Sequence, residues 1–207
     1  MSLEESSDFE HAKKVVLGSS GFSWPGWAVT DRDTLDVVSR DSFLHHGAPG
    51  TIDAFLAEHV WEHLTPDEVV RANRNCYEFL RPGGHLRIAV PDGYHPDPSY
   101  IDYVRPGGSG AGAGDHKALY NYRSLGRMLR EAGFLVDLLE YWDEFGRFHY
   151  KEWSSAEGHV MRSRRYDRRN QDGSLSFTSL IVDAIKPPED RLDGSDSVPG
   201  DPNVSPE

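Results

Sequence analysis

The chain has 207 residues, enough for one domain with a sizeable hydrophobic core. Its 34 acidic and 22 basic residues give a net charge of -12, which opposes the phosphate backbone and argues against nucleic acid as a partner. The single cysteine, Cys76, excludes an internal disulfide framework and fits a reducing compartment. No apolar run is long enough to span a bilayer, so we expect a cytoplasmic protein with no membrane partner.

Composition divides the chain into three parts. Residues 1–12 are polar and predict a flexible N-terminus, whereas residues 13–186 hold the apolar runs of one folded domain. From residue 187 to 207, six acidic residues and one basic residue stand among Pro, Gly, Ser and Asn with little apolar content. Such a composition buries too little surface to order itself, so we predict a disordered acidic tail.

Apolar runs of strand length alternate with helical patterns within the domain. LTPDEVVRANRNCYEFLRPGG predicts a helix with Thr65 as its N-cap and Glu68 closing a capping box, and YRSLGRMLREAG predicts a second that ends before Gly133. Cys76 falls on the apolar spacing of the first helix, which favours a buried core residue over a nucleophile. The predicted strands lie in KKVVLGSSG, WAVTD, LDVVS, TIDAFLA, HLRIAVPDG and FLVDLLEYW.

Two further segments complete the pattern. Residues 93–118 are rich in Gly, Pro, Tyr and Asp without either period, which predicts a long functional loop that covers a small substrate. VMRSRRYD and LSFTSLIVDAIK flank NQDGS, a hairpin signal. The order of elements predicts a Rossmann-like α/β domain: a doubly wound, mostly parallel sheet with helices on both faces and a C-terminal antiparallel hairpin. Ligands of such sheets bind outside the carboxyl ends of the strands.

The stretch AEHVWEHL contains His59, Glu62 and His63 in the order H-x-x-E-H, the inverted signature of zinc proteases. That chemistry needs both histidines on one continuous helix and a third protein ligand, for which Glu131 or Glu144 is conceivable. A strand-like run precedes the motif and Thr65 begins a new helix directly after it. We therefore predict no metal and retain a zinc hydrolase as the third interpretation. A histidine that hydrogen-bonds backbone at the strand end is the structural alternative, and it is favoured for His63.

The order of motifs resembles that of class I S-adenosylmethionine-dependent methyltransferases. The resemblance is carried by LGSSG, a strand ending in TD, AEHVWEHL, FLRPGGHLRIAVPDG and LREAGF. A group of small predicted bacterial methyltransferases is more similar still, through AEHVWEHLTPDE, LRIAVPDGYHPDP, DHKALYNYRSL and DRRNQDGSLSFTSLIVDAIK. The likeness covers about residues 14–186 and implies methyl transfer from S-adenosylmethionine to a small molecule.

The resemblance also implies which residues hold the cofactor. The methionine part would lie on the loop after the first strand, Asp31 would bind the ribose hydroxyls, and Asp41 corresponds to a residue near the adenine. Glu58 and His59 end the strand beside the activated methyl group. The loop itself consists of Gly18, Ser19, Ser20 and Gly21. Its GSSG sequence departs from the common G-x-G-x-G pattern, and FSWPGW follows in place of a clear helix. This departure supports the second interpretation, a binding module on the same fold that no longer transfers methyl groups.

Three residues are candidates for moving or orienting a proton: His59 at the strand end, and His116 and Tyr122 on the substrate side. MRSRRYDRRN, residues 161–170, holds five arginines and is a candidate for binding a carboxylate or phosphate, with a solvent-facing strand as the alternative. We therefore expect a small-molecule substrate, with an anionic one as an option. The sequence leaves the acceptor atom and the oligomeric state open.

Overall fold

The computed structural model describes residues 14–189. The predicted flexible segment 1–12 and the predicted acidic tail from residue 190 onward lie outside the described residues. In the described part of the chain, seven strands form one sheet. They are β1 (Lys14–Leu17), β2 (Ala28–Val29), β3 (Ile52–Glu58), β4 (Leu80–Pro91), β5 (Leu135–Trp142), β6 (Phe148–Tyr150) and β7 (Ser179–Ile185).

The strand order is β2-β1-β3-β4-β7-β5-β6. β1 pairs in parallel with β2 and β3, and β3 in parallel with β4. β7 runs antiparallel between β4 and β5, and β6 runs antiparallel to β5. The predicted Rossmann-like, mostly parallel sheet with antiparallel strands at its end is confirmed. The chain reverses its direction of winding at β1, so the carboxyl ends of β1 and β3 border the crevice where such sheets bind ligands.

Within residues 14–189, four α-helices connect the strands: α1 (Arg40–Phe43), α2 (Pro66–Phe79), α3 (Pro98–Val104) and α4 (Tyr122–Glu131). The capping box predicted for α2 is present, because Thr65 and Glu68 exchange hydrogen bonds between side chains and backbone. Asn121 and Ser124 form a second capping box at α4. Cys76 is fully buried in α2, as predicted, and burial raises the pKa of its thiol. Among the described residues, no helix has the length and apolar character needed to cross a bilayer.

The two faces of the sheet are covered differently. α1, α2 and α4 all pack on one face, where they bury apolar side chains from β1, β3, β4 and β7. The opposite face carries a smaller apolar cluster, formed by Val16, Leu56, Ala89, Leu139, Val160 and Ile181. No helical residue belongs to that cluster within residues 14–189; Trp24, Trp27 and Trp153, all from loops, cover it. The expectation of helices on both faces is corrected accordingly.

Three other expectations differ from the structure: those for LDVVS, for residues 93–118 and for the C-terminal hairpin. LDVVS forms no strand, because the carbonyl of Asp31 accepts the amides of Thr34 and Leu35 in a turn. Residues 93–118 contain α3, which Asp97 caps and Pro98 begins, and are therefore not structureless.

The first arm of the predicted C-terminal hairpin is a series of turns. The Asn170 side chain exchanges two hydrogen bonds with the backbone of Phe177, at 2.8 and 3.0 Å, where a neighbouring strand would otherwise pair. β4 and β5 are the antiparallel partners of β7 instead.

Candidate functional site

A cavity of about 310 Å³ opens at the carboxyl ends of β1 and β3. Four segments surround it: the turn after β1, the segment between β3 and α2, the stretch from α3 to His116, and the loop that leads into β7. Of the residues predicted for the site, Gly18, Ser19, Ser20, Glu58, His59 and His116 line the cavity. Gly21, Asp31, Asp41 and Tyr122 do not.

The turn of residues 18–21 is tight and closed on itself. Gly18, Ser20 and Gly21 have φ angles of +68°, +49° and +85°. A Cβ atom at Gly18 would lie 2.7 Å from Cγ2 of Val60, so only glycine fits there. Four successive amides are engaged locally: Ser19 donates to Thr30 O, Ser20 to Asp31 Oδ1, Gly21 to Ser19 Oγ and Phe22 to Ser19 O.

The two aspartates implied by the resemblance lie in different settings. The Asp31 carboxylate stands beside the turn, where Oδ1 accepts the Ser20 amide at 3.0 Å and both oxygens lie 3.4 Å from Ser19 Oγ. Asp31 is exposed and therefore accessible to a ligand on the turn. Asp41 is an exposed residue of α1 and contributes nothing to the cavity lining.

Glu58, at the end of β3, has a partner that its sequence position did not reveal. Its carboxylate accepts the backbone amides of Met161 at 3.0 Å and Arg162 at 2.8 Å. Glu58 therefore fixes the loop that forms one wall of the cavity. Both oxygens are engaged in this way, which leaves the carboxylate less available to a cofactor.

His59 occupies a left-handed conformation, with φ +57°, which is uncommon for a residue other than glycine. Its amide donates to Ala89 O at 2.8 Å, so the end of β4 holds the backbone in place. The imidazole lies between two side chains: Nδ1 is 2.8 Å from Glu62 Oε1, and Nε2 is 3.3 Å from Ser179 Oγ. This backbone turn is what directs the ring across the cavity wall, and such strained residues often occur at functional sites.

Glu62 is the most unusual ionisable group of the site. It belongs to the short 3-10 turn Trp61–His63 and is 0% exposed; Oε1 faces the His59 ring, and Oε2 has no hydrogen-bond partner within the described chain. Burial raises the pKa of Glu62, but the charge and hydrogen bond of His59, a backbone hydrogen bond and the charge of His63 together bring the pKa below its ordinary value. Glu62 is therefore a buried carboxylate at the edge of the cavity, next to two histidines.

Two more histidines converge on Glu62. The rings of His63 and His116 meet edge to face with centroids 4.8 Å apart. One ligand atom each from Glu62, His63 and His116 lies within 4.8 Å of the other two. The H-x-x-E-H motif is not helical in the way that a zinc protease requires, since His59 is left-handed and only a 3-10 turn follows. The third residue of the cluster is His116 and neither Glu131 nor Glu144.

Tyr122 lies apart from the cavity lining. It is the first residue of α4, its hydroxyl donates to Glu144 Oε2 at 2.9 Å, and its ring packs against Tyr141 with centroids 4.8 Å apart. The structure therefore brings His59 and His116 to the cavity but leaves Tyr122 outside it.

Several cavity residues carried no signal of their own in the sequence. Ser179 begins β7, and Tyr100 of α3 donates its hydroxyl to Thr178 O at 3.0 Å. Of the arginine-rich stretch, Arg162 and Arg169 line the cavity. Arg169 forms a salt bridge with Asp167 at 2.6 Å and lies over the ring of Phe177. The guanidinium of Arg162, in contrast, takes part in no salt bridge of residues 14–189. Only the density of arginine in MRSRRYDRRN indicated this wall.

The fold and the site define a Rossmann-like α/β protein with a ligand cavity at the point where strand order reverses. No family model matches the chain, and no curated protein sequence matches it. Solved structures with a similar fold include an S-adenosylmethionine-dependent methyltransferase of Archaeoglobus fulgidus, 16% identical, with 86% of each chain covered and a TM-score of 0.47.

Two further solved structures are similar to the same degree. A methyltransferase of Thermotoga maritima is 13% identical, with 84% of this chain and 81% of that chain covered and a TM-score of 0.48. Phosphoethanolamine N-methyltransferase 2 of Haemonchus contortus, solved with S-adenosylmethionine, is 12% identical. In that comparison 89% of this chain and 50% of that chain are covered, with a TM-score of 0.45. Similarity at this level describes the fold and assigns no activity.

Proposed function

We propose that this protein transfers a methyl group from S-adenosylmethionine to a small molecule. The proposal rests on one arrangement: the glycine turn after β1 and the His59–Glu62 pair after β3 border the same cavity. The order of sequence motifs supports it, because the same two segments carry the resemblance to class I methyltransferases. Methyl transfer asks little covalent chemistry of a protein, which must align the acceptor and take up its proton.

The residues of the turn fit the cofactor that the resemblance implies. Gly18 lines the cavity, and Asp31 presents an exposed carboxylate beside the turn. Trp24 and Phe22 add aromatic surface to the same side of the cavity. Bound S-adenosylmethionine would supply a methyl group that its sulfonium makes electrophilic.

His59 is the base that this geometry favours. Glu62 Oε1 lies 2.8 Å from Nδ1, which orients the ring and favours the tautomer with its proton on Nδ1. Nε2, beside Ser179, is then the nitrogen that takes the acceptor's proton. His116, the second candidate, has Nδ1 committed to the carbonyl of Val104 at 2.6 Å and is better suited to binding than to moving a proton.

Arg162 supports an anionic group on the acceptor. It lines the cavity, and its guanidinium takes part in no salt bridge of the described chain. Guanidinium groups bind carboxylate and phosphate through paired hydrogen bonds. A small molecule with such a group is therefore the substrate class that we infer.

Calorimetric titration with S-adenosylmethionine and S-adenosylhomocysteine tests the cofactor. We expect binding by the unaltered protein and a 10- to 100-fold weaker affinity, about the value of one or two charged hydrogen bonds, for Asp31→Ala. Asp41→Ala is the matched control and is expected to bind normally. Equal affinities in Asp31→Ala and the unaltered protein would remove Asp31 from the cofactor site.

Transfer itself is tested by incubating the protein with a metabolite extract and methyl-labelled S-adenosylmethionine. Mass spectrometry should find a labelled product, which identifies the acceptor. With that product in hand, His59→Gln should reduce turnover by roughly 10²- to 10⁴-fold, the usual contribution of a general base. Tyr122→Phe, outside the cavity, should retain full turnover. Unchanged turnover in His59→Gln would exclude the base role.

A second function, a binding module without transfer activity, is favoured by the closed turn. The amides of Ser19, Ser20, Gly21 and Phe22 all donate within the turn or to its immediate neighbours. They are therefore not free to bind a ligand. If the folded protein gives no calorimetric signal with either cofactor form, the module is the better description.

A further inference from the structure

We propose that Glu62, His63 and His116 bind a first-row divalent transition-metal ion in the cavity wall. One ligand atom of each lies within 4.8 Å of the others. A four-coordinate metal with bonds of about 2.1 Å separates its ligand atoms by about 3.4 Å. Side-chain rotations that move each atom by about 1 Å would therefore complete the site.

The buried carboxylate of Glu62 is an independent indication of a cation. The side chain is 0% exposed, its Oε1 meets only the His59 ring nitrogen, and its Oε2 is without a hydrogen-bond partner in residues 14–189. A buried carboxylate that is not hydrogen-bonded is strongly unfavourable unless a positive charge compensates it. His59 approaches Oε1 at 2.8 Å, which leaves Oε2 without a partner of its own.

Both histidines are oriented as metal ligands usually are. Nδ1 of His116 lies 2.6 Å from Val104 O, and Nδ1 of His63 lies 3.3 Å from Asp115 Oδ2. An oxygen acceptor at one ring nitrogen places the proton there and leaves the lone pair on the other nitrogen for a metal. Asp115 is itself held by Lys117 at 2.7 Å. With Nδ1 engaged in both rings, Nε2 is the nitrogen that we assign to the metal.

The donor set selects the kind of metal. Two imidazoles and one carboxylate suit zinc, iron, cobalt, nickel or manganese, whereas magnesium prefers oxygen ligands alone. Three protein ligands leave at least one coordination position open, as in catalytic rather than structural sites. Because all three residues line the cavity, that position faces the space available to a substrate. An oxygen-bearing ligand, such as a hydroxyl or carboxylate compound, would fill it.

This site differs from the one that H-x-x-E-H predicts for zinc proteases. There, the two histidines of the motif bind the metal and the glutamate activates water. Here, Glu62 and His63 are ligands, the third ligand comes from the segment after α3, and His59 contacts Glu62 and Ser179 instead. Metal binding shares Glu62 with the proposed His59 pair but does not require methyl transfer.

Metal binding is tested with untagged protein that has been treated with chelator and dialysed. Titration with Co²⁺ should produce visible absorption bands of a protein-bound ion and saturate at one ion per chain, and Zn²⁺ should displace it. Mg²⁺ should not compete. His63→Ala and His116→Ala should each weaken Co²⁺ binding by at least about 100-fold, and Asp115→Asn, which alters only an outer contact, by about 10-fold.

His149→Ala is the matched control, since His149 also pairs with an aspartate, Asp143 at 2.8 Å, but lies outside the cavity lining. It should bind Co²⁺ normally. Circular dichroism and thermal unfolding of the metal-free variants establish that each is folded. In addition, saturating Zn²⁺ should raise the unfolding temperature of the unaltered protein but not that of His116→Ala.

Two results would overturn the proposal: no stoichiometric binding of any of these ions by folded protein, or binding that survives both His63→Ala and His116→Ala. Calorimetry with S-adenosylmethionine on metal-free protein reports the cofactor separately. Loss of one result therefore does not imply loss of the other.

Discussion

The two faces of the sheet are held by different forces. On the helical face, α2 and α4 contribute apolar side chains, and their backbone hydrogen bonds are satisfied within each helix. On the other face, residues 151–164 are mostly loop, and buried charged side chains hold them. Arg87 donates to the carbonyls of Ser154 and Gly158. The Glu140 carboxylate accepts hydrogen bonds from the Trp153 indole and the Arg164 amide. The Glu58 carboxylate likewise accepts the amides of Met161 and Arg162.

The difference has a simple physical cause. A loop that covers a core cannot satisfy its own N–H and C=O groups, so side chains from the strands must supply the partners. Those partners are charged, since charged groups form the strongest hydrogen bonds to backbone. The same loop forms a wall of the cavity. The shape of the cavity therefore depends more on the charged side chains that hold this loop, on what we call the charged face, than on the helices of the other face.

The largest expected effect comes from breaking the charged face at Arg87. This residue is 2% exposed and pairs with both oxygens of Asp183 at 2.8 Å. Arg87→Met removes a donor to Asp183 and to two loop carbonyls, so we expect a loss of about 3–5 kcal/mol in the free energy of unfolding, measured in urea. Arg127→Met, at an exposed pair on α4, is the control and should change little.

A double variant separates the two partners of Arg87. If Arg87 mainly neutralises Asp183, Arg87→Met with Asp183→Leu should recover most of the stability. We expect it to remain destabilised, because the carbonyls of Ser154 and Gly158 still lack a donor. Full recovery would contradict the role that we assign to buried charge on this face.

The next effect concerns pH and Asp92, at the end of β4. Like Glu140, Asp92 accepts two N–H groups, here the amides of Trp142 at 2.7 Å and Tyr94 at 2.9 Å. Burial nevertheless raises the pKa of Asp92 from 3.8 to about 6. The folded state thus binds the proton more tightly than the unfolded state between these values. The contribution of protonated Asp92 to the stability of the fold is complete below pH 3.8 and is lost as the pH rises through about 6.

We expect the ionisation of Asp92, as the pH rises between these two pKa values, to lower the free energy of unfolding by about 3 kcal/mol. Urea unfolding at about pH 4 and about pH 7, compared between the unaltered protein and Asp92→Asn, isolates the effect. The variant should lack this part of the pH dependence. An identical pH dependence in both proteins would mean that amide hydrogen bonds compensate the burial of Asp92.

The smallest expected effect lies on the helical face, at the N-terminus of α2. Thr65→Ala removes the side-chain acceptor for the Glu68 amide and should lower the free energy of unfolding by about 1 kcal/mol. Thr65→Ser keeps the acceptor and is the control. The cavity wall should be unaffected, so proteolysis within residues 159–167 should not increase. Faster cleavage there would show that the two faces are coupled.

The sequence predicted most of the regular structure because its causes are local. The capping box of Thr65 and Glu68, the apolar spacing around Cys76 and the buried run of β4 each lie within a few neighbouring residues. LDVVS and the arm VMRSRRYD have strand-like composition but no strand beside them to pair with. Strand formation depends on a partner that only the fold can supply.

The candidate site was predictable in part for the same reason. The turn at Gly18 and the strand-end residues Glu58 and His59 line one cavity, since strand ends of a parallel sheet meet at one edge. His116 lines it as well, and the roles assigned to these residues stay predictions. Tyr122 does not reach it, because its ring is part of a separate aromatic group with Tyr141. The engagement of Glu58 with the loop amides had no local signal.

The sequence by itself determined α2, α4, most of the strands and the burial of Cys76. Each follows from apolar periodicity, capping residues or composition. Tertiary structure alone decided that loops cover the second face, that Arg87 meets Asp183 from 96 positions away, and that His116 joins Glu62 and His63. Such pairings depend on where distant segments return to the sheet, and no periodicity within a single segment records that.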